Sequence, residues 1–446
     1  MHIGGDIIEQ VVPSWGGRPT PTPRLRRRAA GPWLLVQDVQ GAKHRDHLAP
    51  GWLLIALLSV IGLSALLHHQ RGRVAPITVP RQRTPDLPPP APPATRARRE
   101  VAVLIATRNG ADTLASTIAS AADQADVYVV SDGSTDDTAR IAEQSGAKVL
   151  ALSVNIGKPA ALYRANRHFG LTTDYRAVAV LDDDTVIGPD FISHCLAGLT
   201  DRVAIVVGRT ITNWTREHRW NPWLAVRAYS YWKYQLLVRR GQSALNVMNC
   251  VSGSNSLYRS TVLEQVLVED TPYIVDDTYW TLETHRRGLG RISYAPKATA
   301  LICDPLTGRD WYKQNLRWLW GTLQGIRGHR IGTKRTMFDF MYILMMLDWV
   351  LYVVVWPVWI AAVFWIGRDH WPQLLAIYLA GYFIWTTIAA IALRRWRLIL
   401  LTPFVLVFDW LYRVNFAHAL VKALRQPRVT SCRWESPSRY AQGAAA

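Results

Sequence analysis

The sequence predicts an α/β fold, a parallel sheet covered by helices on both faces, joined to a region of transmembrane helices. Three observations carry this expectation. From about residue 99, short apolar runs alternate with helical periodicities. One run, AVAVLDDDT at 177–185, ends abruptly in three carboxylates. After Thr336 the composition turns apolar over lengths that span a bilayer.

Taken in order, residues 1–50 show little periodicity and are expected to be disordered, with an arginine patch at Arg24, Arg26, Arg27 and Arg28. Residues 51–67 (GWLLIALLSVIGLSALL) carry no charge and are long enough to form a transmembrane helix. Residues 68–98 are rich in proline and arginine and read as a linker. A folded domain is expected over 99–335, two or three membrane helices over 336–425, and a tail over 426–446.

Within the folded domain, strands are expected at 101–106, 127–130, 147–152, 177–181 and 204–207, and helices at 113–122, 136–144, 158–169 and 191–199. Such alternation implies right-handed crossovers and a parallel sheet. Ligands of such sheets gather at the carboxyl ends of the strands.

There the chain places polar groups repeatedly: Thr107, Arg108 and Asn109 after the first strand, Asp132 after the second, Lys158 after the third, and Asp182, Asp183 and Asp184 after the fourth. Each has an ordinary explanation as a turn or a helix cap. Together they supply an acid for a nucleoside, basic groups for phosphates and carboxylates for a metal, the parts of a nucleoside diphosphate site. No GxGxxG follows the first strand and no GxxxxGK[ST] occurs, which argues against a dinucleotide enzyme or a P-loop ATPase.

Composition narrows the partners. The formal charge of +18, from 51 Lys and Arg against 33 Asp and Glu, suits nucleic acid, anionic lipid or an anionic substrate. Twenty tryptophans in so basic a chain favour a bilayer interface, and no nucleic-acid partner is expected. The four cysteines form no CxxC pair, so neither a zinc cluster nor a disulfide framework is indicated, and a reducing, cytosol-facing domain follows.

The stretches ATRNG, SDGSTDDT, NIGKPAAL and LDDDT, in that order, resemble the amino-terminal half of a family 2 glycosyltransferase with a GT-A Rossmann-like fold. The resemblance implies that Asp132 holds the nucleoside, and that Asp182 and Asp184, as the DxD motif, bind the sugar nucleotide and a divalent metal, Mg2+ or Mn2+. Asp183 stands at the position that varies in the family.

Further along, 213–241 mixes Trp and Tyr with Arg and Lys, as a helix at a membrane surface or one packed on the sheet would. VSGSNSLYR, with Gly253 and Ser254, resembles the family's acceptor-side loop. Asp276 and Asp277 stand where the family usually has Glu-Asp, so the role of general base falls on Asp277, although a pair of acids can also simply cap a helix. Gln314, Arg317 and Trp318 fall on one helix face and match QxxRW, the signature of processive members: cellulose, chitin, hyaluronan and poly-N-acetylglucosamine synthases. By that resemblance Arg317 contacts the diphosphate and Trp318 lies under the acceptor sugar. The basic stretch 327–335 is a candidate mobile loop over the nucleotide.

The expected function is a membrane-embedded inverting transfer of sugar from a UDP-sugar, by resemblance UDP-N-acetylglucosamine, to a carbohydrate acceptor on a growing β-linked polysaccharide. The expected location is the plasma (inner) membrane with the catalytic domain cytosolic. The alternatives are transfer of a single sugar to a polyprenyl phosphate or other acceptor, and an inactive membrane scaffold.

Overall fold

The computed structural model describes residues 100–426. The segment 1–50, the apolar run 51–67, the linker 68–98 and the tail from 427 lie outside the described residues.

The first half builds as the alternation predicts. It runs β1 (Val101–Thr107), α1 (Leu114–Ala122), β2 (Asp126–Asp132), α2 (Thr138–Gln144), β3 (Lys148–Leu152), α3 (Lys158–Phe169) and β4 (Ala177–Asp182). β1 is buried along its whole length, as a central strand of continuous apolar character should be. It pairs in parallel with β2 and β4, with Thr107 opposite Ser131 and Ala106 opposite Asp182. These registers bring the polar strand ends to one edge.

The chain continues with β5 (Thr185–Ile187), α4 (Phe191–Gly198), β6 (Val203–Thr212), α5 (Pro222–Tyr234), β7 (Asn255–Arg259), α6 (Ser260–Val266), α7 (Asp276–Arg287), β8 (Arg291–Ile302) and α8 (Gly308–Gly328). Here the expectation of a wholly parallel sheet is corrected. The eight-stranded sheet is mixed, ordered β3-β2-β1-β4-β7-β6-β8-β5, with β7 antiparallel to both β4 and β6. β7 comes from the segment read as a loop, because its serines and asparagine look solvated. In the fold they are buried and hydrogen-bonded: Asn255 Nδ2 donates to Thr210 Oγ1 at 3.1 Å and Ser256 Oγ to the Ser252 carbonyl at 2.6 Å, while Asn255 Oδ1 is buried without a partner.

The helix expected over 213–241 starts later, at Pro222, where the Asn221 side chain accepts from the Trp223 and Leu224 amides. It continues through a π-helical turn, Gln235–Arg239, into a short α-helical segment, Arg240–Leu245. Its Trp223 ring lies 5.9 Å from Trp311 and 5.7 Å from Phe408, so α5 is wedged between α8 and the last membrane-type helix.

Among the described residues, three helices are long and apolar enough to cross a membrane: α9 (Met337–Ile366), α10 (Arg368–Leu393) and α11 (Thr402–Arg425), with mean hydropathy 2.1, 1.9 and 1.3. Two of their acids are paired. Asp339, in the first turn of α9, meets Arg286 at 2.6 Å, and on α11 Asp409 meets Arg413 one turn on, with the Tyr352 and Tyr382 hydroxyls donating to the same carboxylate. The stretch 327–335 is fastened by this arrangement. Gly332 N donates to Asp339 Oδ1 at 2.6 Å and Arg286 Nη2 to the Arg330 carbonyl at 2.7 Å.

Apolar cores fill both faces of the sheet. A third joins α8, through Leu319, Trp320 and Leu323, to Phe338, Tyr342 and Met346 of α9 and Phe416 and Ala419 of α11.

Candidate active site

The strand edge divides the three acids after β4 by exposure. Asp183 is fully buried and accepts from Thr107 Oγ1 at 2.5 Å, while its carbonyl accepts from Thr117 at 3.0 Å. Asp182 and Asp184, on either side, remain partly exposed. The chain turns at Asp183 and Asp184 between β4 and β5, with the middle side chain directed inward. Thr107, expected to touch the donor, is itself fully buried, and its hydroxyl instead holds the triplet in place.

Asp132 is likewise buried and receives the Ile156 and Gly157 amides at 2.8 and 2.9 Å. Burial raises this carboxyl above its usual range, against the pull of those two bonds and of Arg108 and Arg164. It thereby shapes the turn that presents Lys158 at the start of α3. Asn109, with φ of 53°, accepts from the Thr135 amide at 2.8 Å and ties the first polar loop to the second.

Lys158 is the meeting point. Its ammonium is hydrogen-bonded to Asp182 Oδ1. Burial alone would lower it, but the charges of Asp182, Asp276 and Asp277 outweigh burial and hold it above the ordinary lysine range. The acids after β4 and the acid pair at the start of α7, nearly a hundred residues apart in sequence, thus act on one cation. Topology explains how: β7 runs antiparallel to β4 with Asn255 opposite Leu181, so the loop 250–254 arrives beside the carboxylates after β4.

That loop grips Asp277. Gly253 N donates to Asp277 Oδ2 at 3.2 Å and the Cys250 thiol to Oδ1 at 3.4 Å. A Cβ at Gly253 would stand 3.2 Å from Asp277 Oδ2 and crowd that carboxylate by a few tenths of an ångström. Ser254 is buried and shares a hydrogen bond with Ser252 at 3.0 Å. Asp277 is partly exposed. Burial, then the neighbouring Asp276, raise its carboxyl to about 6, while Lys158, Cys250 and Gly253 oppose the rise. A carboxylate so placed is ionised at neutral pH yet more basic than an ordinary aspartate.

The QxxRW segment lies on α8, which approaches the acid pair through Gly321, where a Cβ would come within 2.4 Å of Val275 Cγ2. Gln314, Arg317 and Trp318 are all partly exposed. The sequence reading missed what holds them. Arg227 of α5, 5% exposed, donates from Nη2 to Gln314 Oε1 at 2.6 Å, lies 4.9 Å from the Trp318 ring and pairs through Nε with Asp304 at 3.2 Å. Asp304 is fully buried, and burial raises it to about 6 despite Arg227. The available signal was an arginine on the apolar stripe Leu224, Ala225, Val226 of α5. Cys250 was missed as well.

For a divalent cation, the described residues hold no cluster of three or more His, Cys, Asp or Glu side chains. Asp182 and Asp184 nevertheless fit one. Hard carboxylate oxygens in a pair suit Mg2+ or Mn2+ when substrate phosphates and water complete the shell. Lys158 already places a positive charge at Asp182.

The family description "Glycosyltransferase like family 2" matches residues 97–321. Among characterised proteins, the chain is 25% identical over 248 residues to a poly-beta-1,6-N-acetyl-D-glucosamine synthase of Staphylococcus aureus (strain COL), covering 52% of this chain and 56% of that one. A synthase of the same name from Staphylococcus epidermidis is 26% identical over 238 residues, with the same coverage. The chain therefore spans little more than half the length of these relatives. Among solved structures, a mannosyltransferase from Pyrobaculum calidifontis in complex with GDP-Man and Mn2+ superposes with a TM-score of 0.50 at 17% identity, over 83% of this chain and 97% of that one. This likeness concerns the fold.

Proposed function

Because the chain belongs to glycosyltransferase like family 2, matched over 97–321, we propose that it is a membrane-embedded, inverting glycosyltransferase that extends a β-linked polysaccharide from a UDP-sugar. We take UDP-N-acetylglucosamine as the donor, because the staphylococcal relatives are poly-beta-1,6-N-acetyl-D-glucosamine synthases by name. The carrying observation is that Asp182 on one side and Asp276 and Asp277 on the other bear on the single ammonium of Lys158. A donor-side acid and an acceptor-side base are thereby put in one crevice.

In this reading Asp132, through the turn that it shapes, and Arg108 and Asn109 border the nucleoside. Lys158 and Arg317 face the diphosphate. Arg317 makes no ion pair among the described residues, which leaves it available. Asp182 and Asp184 would hold a divalent metal, which when bound neutralises the diphosphate as it leaves. The acceptor ring stacks on Trp318, with Gly253, Ser254 and Asp276 along its side. Asp277 takes the proton of the acceptor hydroxyl, the oxygen attacks the anomeric carbon from the face opposite the nucleotide, and the bond from that carbon to the diphosphate oxygen breaks.

Three helices among the described residues, long and apolar enough to cross a membrane, support a membrane location. The arginines Arg394, Arg395 and Arg397 between α10 and α11 favour a cytosolic side for that turn and for the catalytic domain, as at a plasma (inner) membrane.

The test is to supply membranes carrying the protein with labelled UDP-sugars and Mg2+ or Mn2+ and to size the product. Long polymer is expected from UDP-N-acetylglucosamine. A single transferred sugar on an extractable lipid would favour the non-processive alternative, and equal incorporation by wild type and Asp277→Asn would overturn the mechanism.

A further inference from the structure

Arg227 has no place in the chemistry above, yet it is among the most heavily engaged side chains near it. Its guanidinium reaches Asp304 (3.2 Å), Gln314 (2.6 Å) and Asn315 (3.4 Å), and lies over the rings of Trp318 (4.9 Å) and Tyr231 (5.4 Å). The Tyr231 hydroxyl donates to the same Asp304 oxygen at 3.3 Å.

Two chemical facts give this cluster a direction. A guanidinium has only donors, so Gln314 must turn its carbonyl oxygen toward Arg227, and its NH2 group is then committed to the opposite side of the amide. A guanidinium over an indole is attracted to the ring face and restricts its tilt, and the attraction is stronger where water is excluded. Arg227 therefore fixes two of the three QxxRW side chains at once, one by orientation and the other by plane. Asp304 in turn fixes Arg227, since a buried cation without its counter-ion would relax toward water.

Resting on the function proposed above, we propose that Arg227, held by Asp304, is the positioning residue of the QxxRW segment: it turns the Gln314 amide so that its N–H groups serve the bound substrate and holds Trp318 at the angle on which the acceptor ring stacks. It touches neither the reacting carbon nor the attacking oxygen. The competing explanation is that the pair simply ties α5 to α8.

The experiment uses the full chain in lipid nanodiscs. Arg227→Met alone leaves Asp304 buried without its partner and can fail to fold, so the principal variant is Arg227→Met/Asp304→Asn, which removes both charges and keeps each side chain near its volume. The first readout does not need activity: 19F spectra of protein labelled with 5-fluorotryptophan, the Trp318 line being assigned by its loss in Trp318→Phe. The Trp318 line is expected to shift and broaden in the double variant while most other tryptophan lines stay. An unmoved Trp318 line, or a uniform shift of all lines, overturns the proposal.

The second readout is a mutant cycle with Gln314→Ala. The charge-free pair is expected to lower kcat about 10- to 100-fold with donor KM within about threefold, and adding Gln314→Ala to cost no more than about a further twofold. Losses that multiply would show that Arg227 does not act through Gln314, and so overturn the proposal. A wild-type protein without transfer activity would instead sink the proposed function, and the 19F result would still judge the positioning role.

Discussion

Replacing Asp277 by asparagine is expected to move activity and stability in opposite directions. In the fold this carboxyl titrates at about 6 against an ordinary 3.8, raised first by burial and then by Asp276. A rise of about two units means that the ionised form is disfavoured in the fold by about 3 kcal/mol, an upper bound because Lys158 also loses a partner in the variant. The sign follows from linkage. A raised carboxyl contributes stability that is fully present below the unfolded value near 3.8 and is lost as pH climbs through 6. At pH 7.5 the wild type has lost that contribution, so Asp277→Asn is expected to melt several degrees higher, the gain vanishing near pH 4. Its turnover falls by roughly 10²- to 10⁴-fold, as for loss of a general base. The wild-type rate should also drop about tenfold from its plateau by pH 5, following protonation of the same group. The assay pairs thermal unfolding in nanodiscs at a fixed scan rate with labelled-sugar incorporation, both across pH. Turnover within about threefold of wild type would remove Asp277 from the chemistry. A lower melting temperature at pH 7.5 would show that burial is not what lifts its carboxyl.

Three other substitutions separate roles at the same edge. Asp184→Ala is expected to abolish metal-dependent donor binding, measured by titration of UDP-sugar with and without Mn2+, whereas Asp183→Ala should keep donor binding and lose about 1.5–3 kcal/mol of stability with the buried bond to Thr107. Gly253→Ala pushes a methyl against Asp277 and is expected to lower kcat at least tenfold with donor affinity unchanged within about twofold, read by turnover and titration in parallel. Asp339→Asn strands the Arg286 guanidinium and is expected to cost roughly 3 kcal/mol in unfolding experiments while leaving UDP-sugar affinity unaltered.

The parallel half of the fold was legible because its strands are buried on both faces and so read as unbroken apolar runs bounded by turns. β7 was not, because its polar side chains are buried by hydrogen bonding, Asn255 to Thr210 and Ser256 to the Ser252 carbonyl, rather than by hydrophobicity. β8 was hidden for a related reason: a proline and a lysine interrupt RISYAPKATALI, and a register shift accommodates them. The acids at 182–184 and 276–277 announced themselves by clustering along the chain. The ammonium that couples them electrostatically did not, since Lys158 looks like any lysine at a helix start until β7 brings the two acid groups to it. Arg227 was illegible in the same sense. Its meaning resides in partners dozens of residues away, which periodicity within α5 cannot reveal.

The helix that bears QxxRW is clamped on two sides. One side meets Val275 beside the acid pair. The other shares a hydrophobic cluster with α9 and α11 and is pinned near its middle and its start: Trp320 Nε1 and Gln324 Nε2 both donate to the Gln426 carbonyl at 3.1 Å, and Asn415 Nδ2 to the Tyr312 carbonyl at 2.9 Å. A helix so bound cannot slide without either opening the crevice or dragging α11. In the proposed membrane setting, a tilt of α11 that matches a thicker or thinner bilayer would be felt by α8 and so by Trp318. On the proposed function, turnover is therefore expected to change with the acyl-chain length of the surrounding lipid, measured in nanodiscs of different thickness, and an unchanged rate would refute this coupling.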